Sequence, residues 1–275
     1  MIELAPEAFG LVEGIIERKH RPRPEAISVI EGIMPGWVFV DKKAHPDVAL
    51  IWSKGLEGFH FCGDPHCDAL FQDINGLIDG CLGERMIRGG MDCFEASGDP
   101  GWEATMPRLF ASREMRHDKQ LVYTSEHARD LVHSVNPVPN GFFLVTIEDI
   151  LRHPERYENP EFVTSIIEKY WGTAGKYAAK GVGYCMTTAA RVVSIAYSGC
   201  MGDNTHVIGI ETEETHRRKG LAEIVAQALL QTHAELGVLS HWDCMEDNHA
   251  SSCLAEKLGL VKAYAYDLFW FPIVV

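Results

Sequence analysis

The chain has 275 residues, 46% of them hydrophobic, which is enough for a packed core in one large domain or two of ordinary size. A formal net charge of -14 excludes a general nucleic-acid binder, which needs a basic surface, and no uninterrupted apolar run is long enough to span a bilayer. The start, MIELAPEAFG, lacks the basic-then-apolar pattern of a secretory leader, so a cytoplasmic location with eight reduced cysteines is expected.

In chain order, Phe9, Val12, Ile15 and Ile16 fall at helical spacing, and a second short helix is expected over Glu25–Ile33. Strands GWVFVD, DVALIWS and GFHFC follow. A helix is predicted from about Asp64 to Cys81, with Leu70, Phe71, Ile74, Leu77 and Ile78 on one stripe. MDCFEAS reads as a strand, GWEATMPRLFASREM as a helix and KQLVYTS as the strand that closes the first half. HFCGDPHC holds His60, Cys62, His66 and Cys67, but its Cys-x4-Cys spacing lacks a clear second ligand pair. These are read as small buried residues beside a turn, and no metal is expected.

HSVNPVPNG, with two prolines and no periodicity, reads as a linker. It divides the chain into residues 1–129 and 130–275. The second part predicts a strand FFLVTI, helices over Ile147–His153 and Pro160–Trp171, and strands GVGYCMTTA, RVVSIAYSG and THVIGIET. A long helix follows from about Arg218 to Leu236, then strand LSHWDCM, a helix from Asn248 to Leu258 and the alternating strand VKAYAYDLFWF.

The junction THRRKGLA raises a physical question. Arg217, Arg218 and Lys219 stand where a helix begins, already the positive end of a helix dipole. A phosphate resolves the conflict, because it accepts the free N–H groups of the first turn and pairs with the cations. Gly220 and Ala222 keep side chains out of the way. Neither G-x-x-x-x-G-K-[ST] nor G-x-G-x-x-G occurs at a strand end. Alone, the corner also fits a solvated basic helix start.

The spacing Arg217-x-x-Gly220-x-Ala222 resembles the pyrophosphate loop of the GNAT superfamily of acyl-CoA-dependent N-acetyltransferases. NHASSCLAEKLGL resembles that family's next helix, with Asn248, Ser251, Leu254, Glu256, Lys257, Leu258 and Gly259 in register. The resemblance covers roughly residues 130–275. It implies an α/β (α+β) fold whose mixed, mostly antiparallel sheet is flanked by helices. It also implies acetyl-CoA as co-substrate and two strands that splay around the pantetheine arm. Ile210 and Thr212 would then offer backbone groups to that arm and Asn248 would hydrogen-bond it. Arg217, Arg218, Lys219, Gly220, Leu221 and Ala222 would hold the pyrophosphate. The family's usual proton-donating tyrosine falls on Ala255, which leaves Tyr264, Tyr266 or water for that role, or a thiolate of low basicity that departs without an acid.

An amine that attacks a thioester must lose a proton. Glu211, Glu213, His206 and Asp243 are candidate bases, with Glu211 favoured because it sits where the wedge should open. His206 is read as a strand-end surface residue, His233 as structural and Cys244 as a buried inert thiol. The first half repeats the order of elements of the second apart from its first strand, with Asp64 and Asp68 at the corner in place of cations. It is read as a degenerate GNAT-like domain, with an unrelated α/β domain as the alternative. A role in shaping the substrate entrance or in forming a homodimer fits either reading. The two-part layout looks similar to the zwittermicin A resistance type of acetyltransferase, which would imply a small polyamine or aminopolyol acceptor. The expected activity is acetylation of a small cationic amine, without nucleic-acid or membrane partners. A non-catalytic acetyl-CoA sensor, or an enzyme acting on protein lysines or N-termini, is the alternative.

Overall fold

The computed structural model describes residues 1–126 and 135–273, and the boundary expected near residue 130 lies outside the described residues. The chain divides into two compact units, Met1–Gln120 with Ala265–Val275, and Leu121–Tyr264. The first unit therefore takes its residues from both ends of the sequence.

In the first unit the elements are β1 (Ile2–Glu3), a 3-10 turn at Pro6–Val12, α1 (Pro24–Ile30), β2 (Gly36–Val40), β3 (Val48–Ser53) and β4 (Gly58–Gly63). They continue with α2 (Asp68–Leu77), α3 (Gly83–Arg88), β5 (Cys93–Gly98), α4 (Trp102–Leu109) and the start of β6 (Arg116–Thr124). The strand order is β1-β2-β3-β4-β5, and residues 265–272 of the chain's last strand lie against β5 with Phe269 opposite Ala96. All six residues of β3 are buried, as an interior strand covered on both faces requires. Phe94 stacks on Phe59 and Phe271, at 4.6 and 5.1 Å, in the centre of this core.

The regular helix expected around Phe9 and Val12 is not formed. Those two side chains and Ile16 are buried as the spacing implied, but the backbone makes only a 3-10 turn. Gly10 and Gly14 each weaken a helix by about 1 kcal/mol relative to alanine.

The second unit starts with the end of β6 and continues with β7 (Phe143–Thr146), α5 (Ile147–Arg152), α6 (Glu161–Trp171), α7 (Ala174–Lys180), β8 (Gly183–Thr188), β9 (Arg191–Gly202) and β10 (Thr205–Thr212). Then come α8 (Leu221–Leu236), β11 (Leu239–Met245), α9 (His249–Lys257) and the start of β12 (Val261–Pro272). The strand order is β6-β11-β10-β9-β8-β7, with β10 and β11 parallel. Helix α7 was not expected. It buries only Tyr177 and so has no apolar stripe, but Thr173 caps it by accepting from the Lys176 N–H at 3.2 Å.

The two units share one order of elements, and β1 supplies the first strand that the sequence reading missed in the first half. They also share a detail of register. His60 faces Ser97 across β4 and β5, and His206 faces Ser240 across β10 and β11. One expectation is corrected. The strand read as closing the first half lies beside β11 in the second unit, where the Ser125 N–H donates to Ser240 O at 3.1 Å. In each unit the last strand of the run comes from the other half of the sequence.

Candidate functional site

The second unit contains a cleft of about 530 Å³ lined by β10, α9 and the corner before α8. Its origin is a parting of strands. β10 and β11 pair at Thr205–Leu239, His206–Ser240 and Val207–His241, and there the pairing ends. A bulge between Val207 and Ile208 bends β10 at the same point. Beyond it, the Glu213 N–H donates to Val193 O of β9 at 2.9 Å. Alternation along the strand then turns the backbone groups of Ile210 and Thr212 away from β9, toward the open side.

The corner has the geometry that an anion could use. Gly220 is the N-cap of α8 at φ 77°, and it has no side chain to occupy the N–H groups of the first turn. Arg218 also adopts a left-handed φ of 60°, an unusual conformation for a residue with a side chain and one common in anion-binding nests. A Cβ at position 220 would meet nothing within 4 Å, so the approach to the helix start is open. Arg217 lines the cleft and is steadied by donating its Nε to Thr212 O at 3.3 Å. Glu223, the acid of the first turn, is turned aside by Lys257 at 2.6 Å.

Of the expected cofactor contacts, Ile210, Thr212, Arg217, Ala222 and Asn248 line the cleft. Arg218, Lys219 and Gly220 stand exposed on the loop beside it. The Leu221 side chain is buried in the core, so only its backbone can contribute. Asn248 caps α9 by accepting from the Ser251 N–H at 3.1 Å, which leaves its amide nitrogen to donate into the cleft. Acetyl-CoA at saturating concentration should raise thermal stability, by about 2.7 kcal/mol at one hundred times its Kd. Gly220→Glu should abolish this shift by placing a carboxylate at the helix start. Gly220→Ala carries the same backbone cost without the charge and should retain it; equal shifts in both variants would remove the corner from the site.

The candidate bases separate in the structure. Glu211 is exposed and lines the cleft. Glu213 lines it too, but is held by Arg191 at 2.6 Å and by His216 at 3.4 Å. Asp243 is not in the lining. His206 is corrected from a surface residue to one only 2% exposed, because α8 covers that end of the strand. Of the candidate acids, Tyr266 belongs to the first unit, while Tyr264 stands edge-on to His241. Ala255 is buried. Cys244 is buried, which raises its thiol pKa. Among the described residues no group of three or more His, Cys, Asp or Glu could hold a metal, and no helix is long and apolar enough to cross a membrane.

Gly209, two residues past the bulge, makes room for an aromatic ring. A Cβ there would lie 2.2 Å from Cζ of Tyr197, whose ring crosses β10 at this point. Tyr197 hydrogen-bonds Tyr170 of α6. Burial first, then the neighbouring Tyr170 and Glu211, push its pKa well above the usual value. The face of β10 that carries Glu211 is thus walled by aromatic rings, and Phe162 of α6 lines the cleft beside it.

Behind the closed end of the cleft lies a buried polar chain. Ser198 Oγ bonds His206 Nδ1 at 2.9 Å and His233 Nε2 at 3.2 Å, and His233 Nδ1 bonds Ser240 Oγ at 2.9 Å. Burial lowers His206 to about 4; burial, then the nearby His206, lowers His233 to about 3. Both rings fold neutral and titrate near 6.5 when unfolded. Their contribution is therefore complete above about pH 6.5 and lost as pH falls toward 4 and then 3. The unfolding free energy from urea titration should drop between pH 7 and 4, by on the order of several kcal/mol. A His206→Asn/His233→Asn variant should be weaker at pH 7 and flatter with pH, and an unchanged slope would contradict this.

The matching place in the first unit differs at its corner. β4 and β5 pair as far as Phe61–Gly98, the counterpart of Val207–His241, and the Asp99 N–H donates to Phe61 O at 2.9 Å. His60 ties the strands by bonding Ser97 Oγ at 3.2 Å and Asp99 Oδ1 at 2.9 Å. At the corner, Asp64 accepts from the His66 N–H and Asp68 opens α2. With carboxylates at this corner in place of cations, calorimetric titration with CoA should give one site per chain, and a stoichiometry of two would contradict this.

Comparison with known proteins agrees with this geometry. The sequence profile described as GNAT acetyltransferase matches residues 19–269. The uncharacterized N-acetyltransferase YdfB of Bacillus subtilis (strain 168) is 25% identical over 271 residues, 98% of this chain and 97% of that protein. A GCN5-related N-acetyltransferase-like protein from Streptococcus suis 89/1591 superposes with a TM-score of 0.65 at 22% identity, covering 96% of this chain and 98% of its own. A tandem GNAT protein from the clavulanic acid biosynthesis pathway superposes with a TM-score of 0.63 at 14% identity, covering 100% and 98%. These likenesses show a tandem GNAT fold over the whole chain.

Proposed function

The chain belongs to the GNAT acetyltransferase family, and we propose that it acetylates a small cationic primary amine in the cleft between β10 and β11, with Glu211 as the base. It is an acyltransferase of the GNAT type, a family that transfers acetyl groups from acetyl-CoA. The exposed carboxylate of Glu211, which lines the cleft beside Phe162, supports its role as the base.

Acetyl-CoA supplies the activated thioester. Arg217 and the first-turn N–H groups of α8 would hold its pyrophosphate. The backbone of Ile210 and the amide of Asn248 would hold its pantetheine arm. Glu211 attracts an ammonium group by charge and takes a proton at a carboxylate oxygen, leaving a neutral amine. The β10 N–H groups left free where the strands part are available to a developing oxyanion. The ring of Phe162, which lines the cleft, suits the hydrocarbon part of a cation.

Free-thiol release from acetyl-CoA, measured against a panel of polyamines, aminopolyols and lysine peptides, tests the acceptor class. Turnover is expected with small polyamines or aminopolyols. Turnover confined to the peptides would overturn it.

A further inference from the structure

We propose that Trp242 sets the length of the acyl group that the cleft accepts, admitting acetyl and excluding chains of four carbons or more. The inference rests on the CoA reading of the cleft.

β10 and β11 run parallel and stay paired up to Val207 and His241. Trp242 is the next residue of β11, so it stands at the closed end of the cleft, away from Arg217 and Ala222 at the phosphate corner. Alternation sets the direction of its side chain. Ser240 bonds His233 of α8, and Trp242, two residues on, shares that face. There the indole N–H donates to Ser251 Oγ at 2.9 Å, in the first turn of α9. Trp242 is only 2% exposed, so packing and this bond together hold the ring in place. Ser251, Leu254 and Ile210 line the cleft around it.

An arm that enters from the phosphate corner carries its thioester toward this end. Carbons beyond the carbonyl then meet a fixed indole. A packed wall does not yield easily to added methylenes, and one methylene of misfit is worth roughly 10- to 200-fold in discrimination.

Isothermal titration of wild type, Trp242→Phe and Trp242→Leu with CoA, acetyl-CoA, butyryl-CoA and hexanoyl-CoA tests this without an acceptor. Wild type should bind CoA and acetyl-CoA alike. It should lose at least about tenfold for butyryl-CoA and more for hexanoyl-CoA. The variants should regain hexanoyl-CoA binding with CoA affinity unchanged, and Trp242→Phe keeps a ring in the core to protect folding. Wild type that binds hexanoyl-CoA as tightly as acetyl-CoA overturns the proposal, whatever the variants do. So does a variant with normal CoA affinity that keeps the discrimination. Wild type that binds no CoA at all would instead reject the reading of the cleft, and this inference with it.

Discussion

Glu211→Gln should lower acetyl transfer by on the order of 100- to 10,000-fold, the usual contribution of a general base. CoA affinity should stay near wild type, because Glu211 is neither a corner residue nor a cap. Its side chain lines the cleft, while the Ser194 hydroxyl of β9 donates to its backbone oxygen, a bond that the substitution preserves. Glutamine keeps the size and polarity and removes the negative charge and the capacity to take up a proton. Steady-state kinetics at several pH values, with CoA titration alongside, checks both halves of this expectation. Wild-type turnover across the pH range would move the base elsewhere, and Asp243 would be tested next. Glu213 is the poorer substitute, since Arg191 holds its carboxylate in an ion pair.

Residues 130–275 expressed alone should fail to fold cooperatively, although they contain every residue of the cleft. The second unit begins at Leu121, and Leu121, Val122 and Tyr123 of β6 are buried. Burying side chains of this size contributes roughly 1.5–3 kcal/mol each. Losing three removes about 5–9 kcal/mol, against the roughly 5–15 kcal/mol that holds a typical domain. The edge of β11 also loses its neighbour, including the bond between Ser125 and Ser240. Far-UV circular dichroism and urea titration read the result directly. A sharp urea transition in this fragment, with acetyl-CoA binding intact, would show that β6 is dispensable.

Most of the second unit was legible because its signals are local. The stripe Leu221, Ile224, Val225, Ala228, Leu229 predicts a helix lying on a sheet, and all five are buried in α8. The corner is also local: cations, a glycine and a helix start lie within six residues, and the electrostatics of a helix terminus needs nothing more distant. The register of Asn248 to Gly259 places α9 for the same reason. Where local signals were weak, the reading slipped. Two glycines turned an apolar spacing of 3.6 into a 3-10 turn at Pro6–Val12, and α7 was too short to show a stripe.

The sequence by itself determined most of the elements, the cationic corner at a helix start and the resemblance that places this chain among acetyl-transferring enzymes, because each depends on residues close along the chain. Only the tertiary structure decided which strands meet. KQLVYTS carries the same alternation whether it lies beside β5 or β11, and nothing within the strand names its neighbour. Burial of His206 depends on α8, whose helix begins some fifteen residues later in the chain and covers the strand only once folded. The bare face of Gly209 has meaning only beside the ring of Tyr197 on the adjacent strand. Periodicity and capping are properties of a segment; pairing and burial are properties of what the segment packs against.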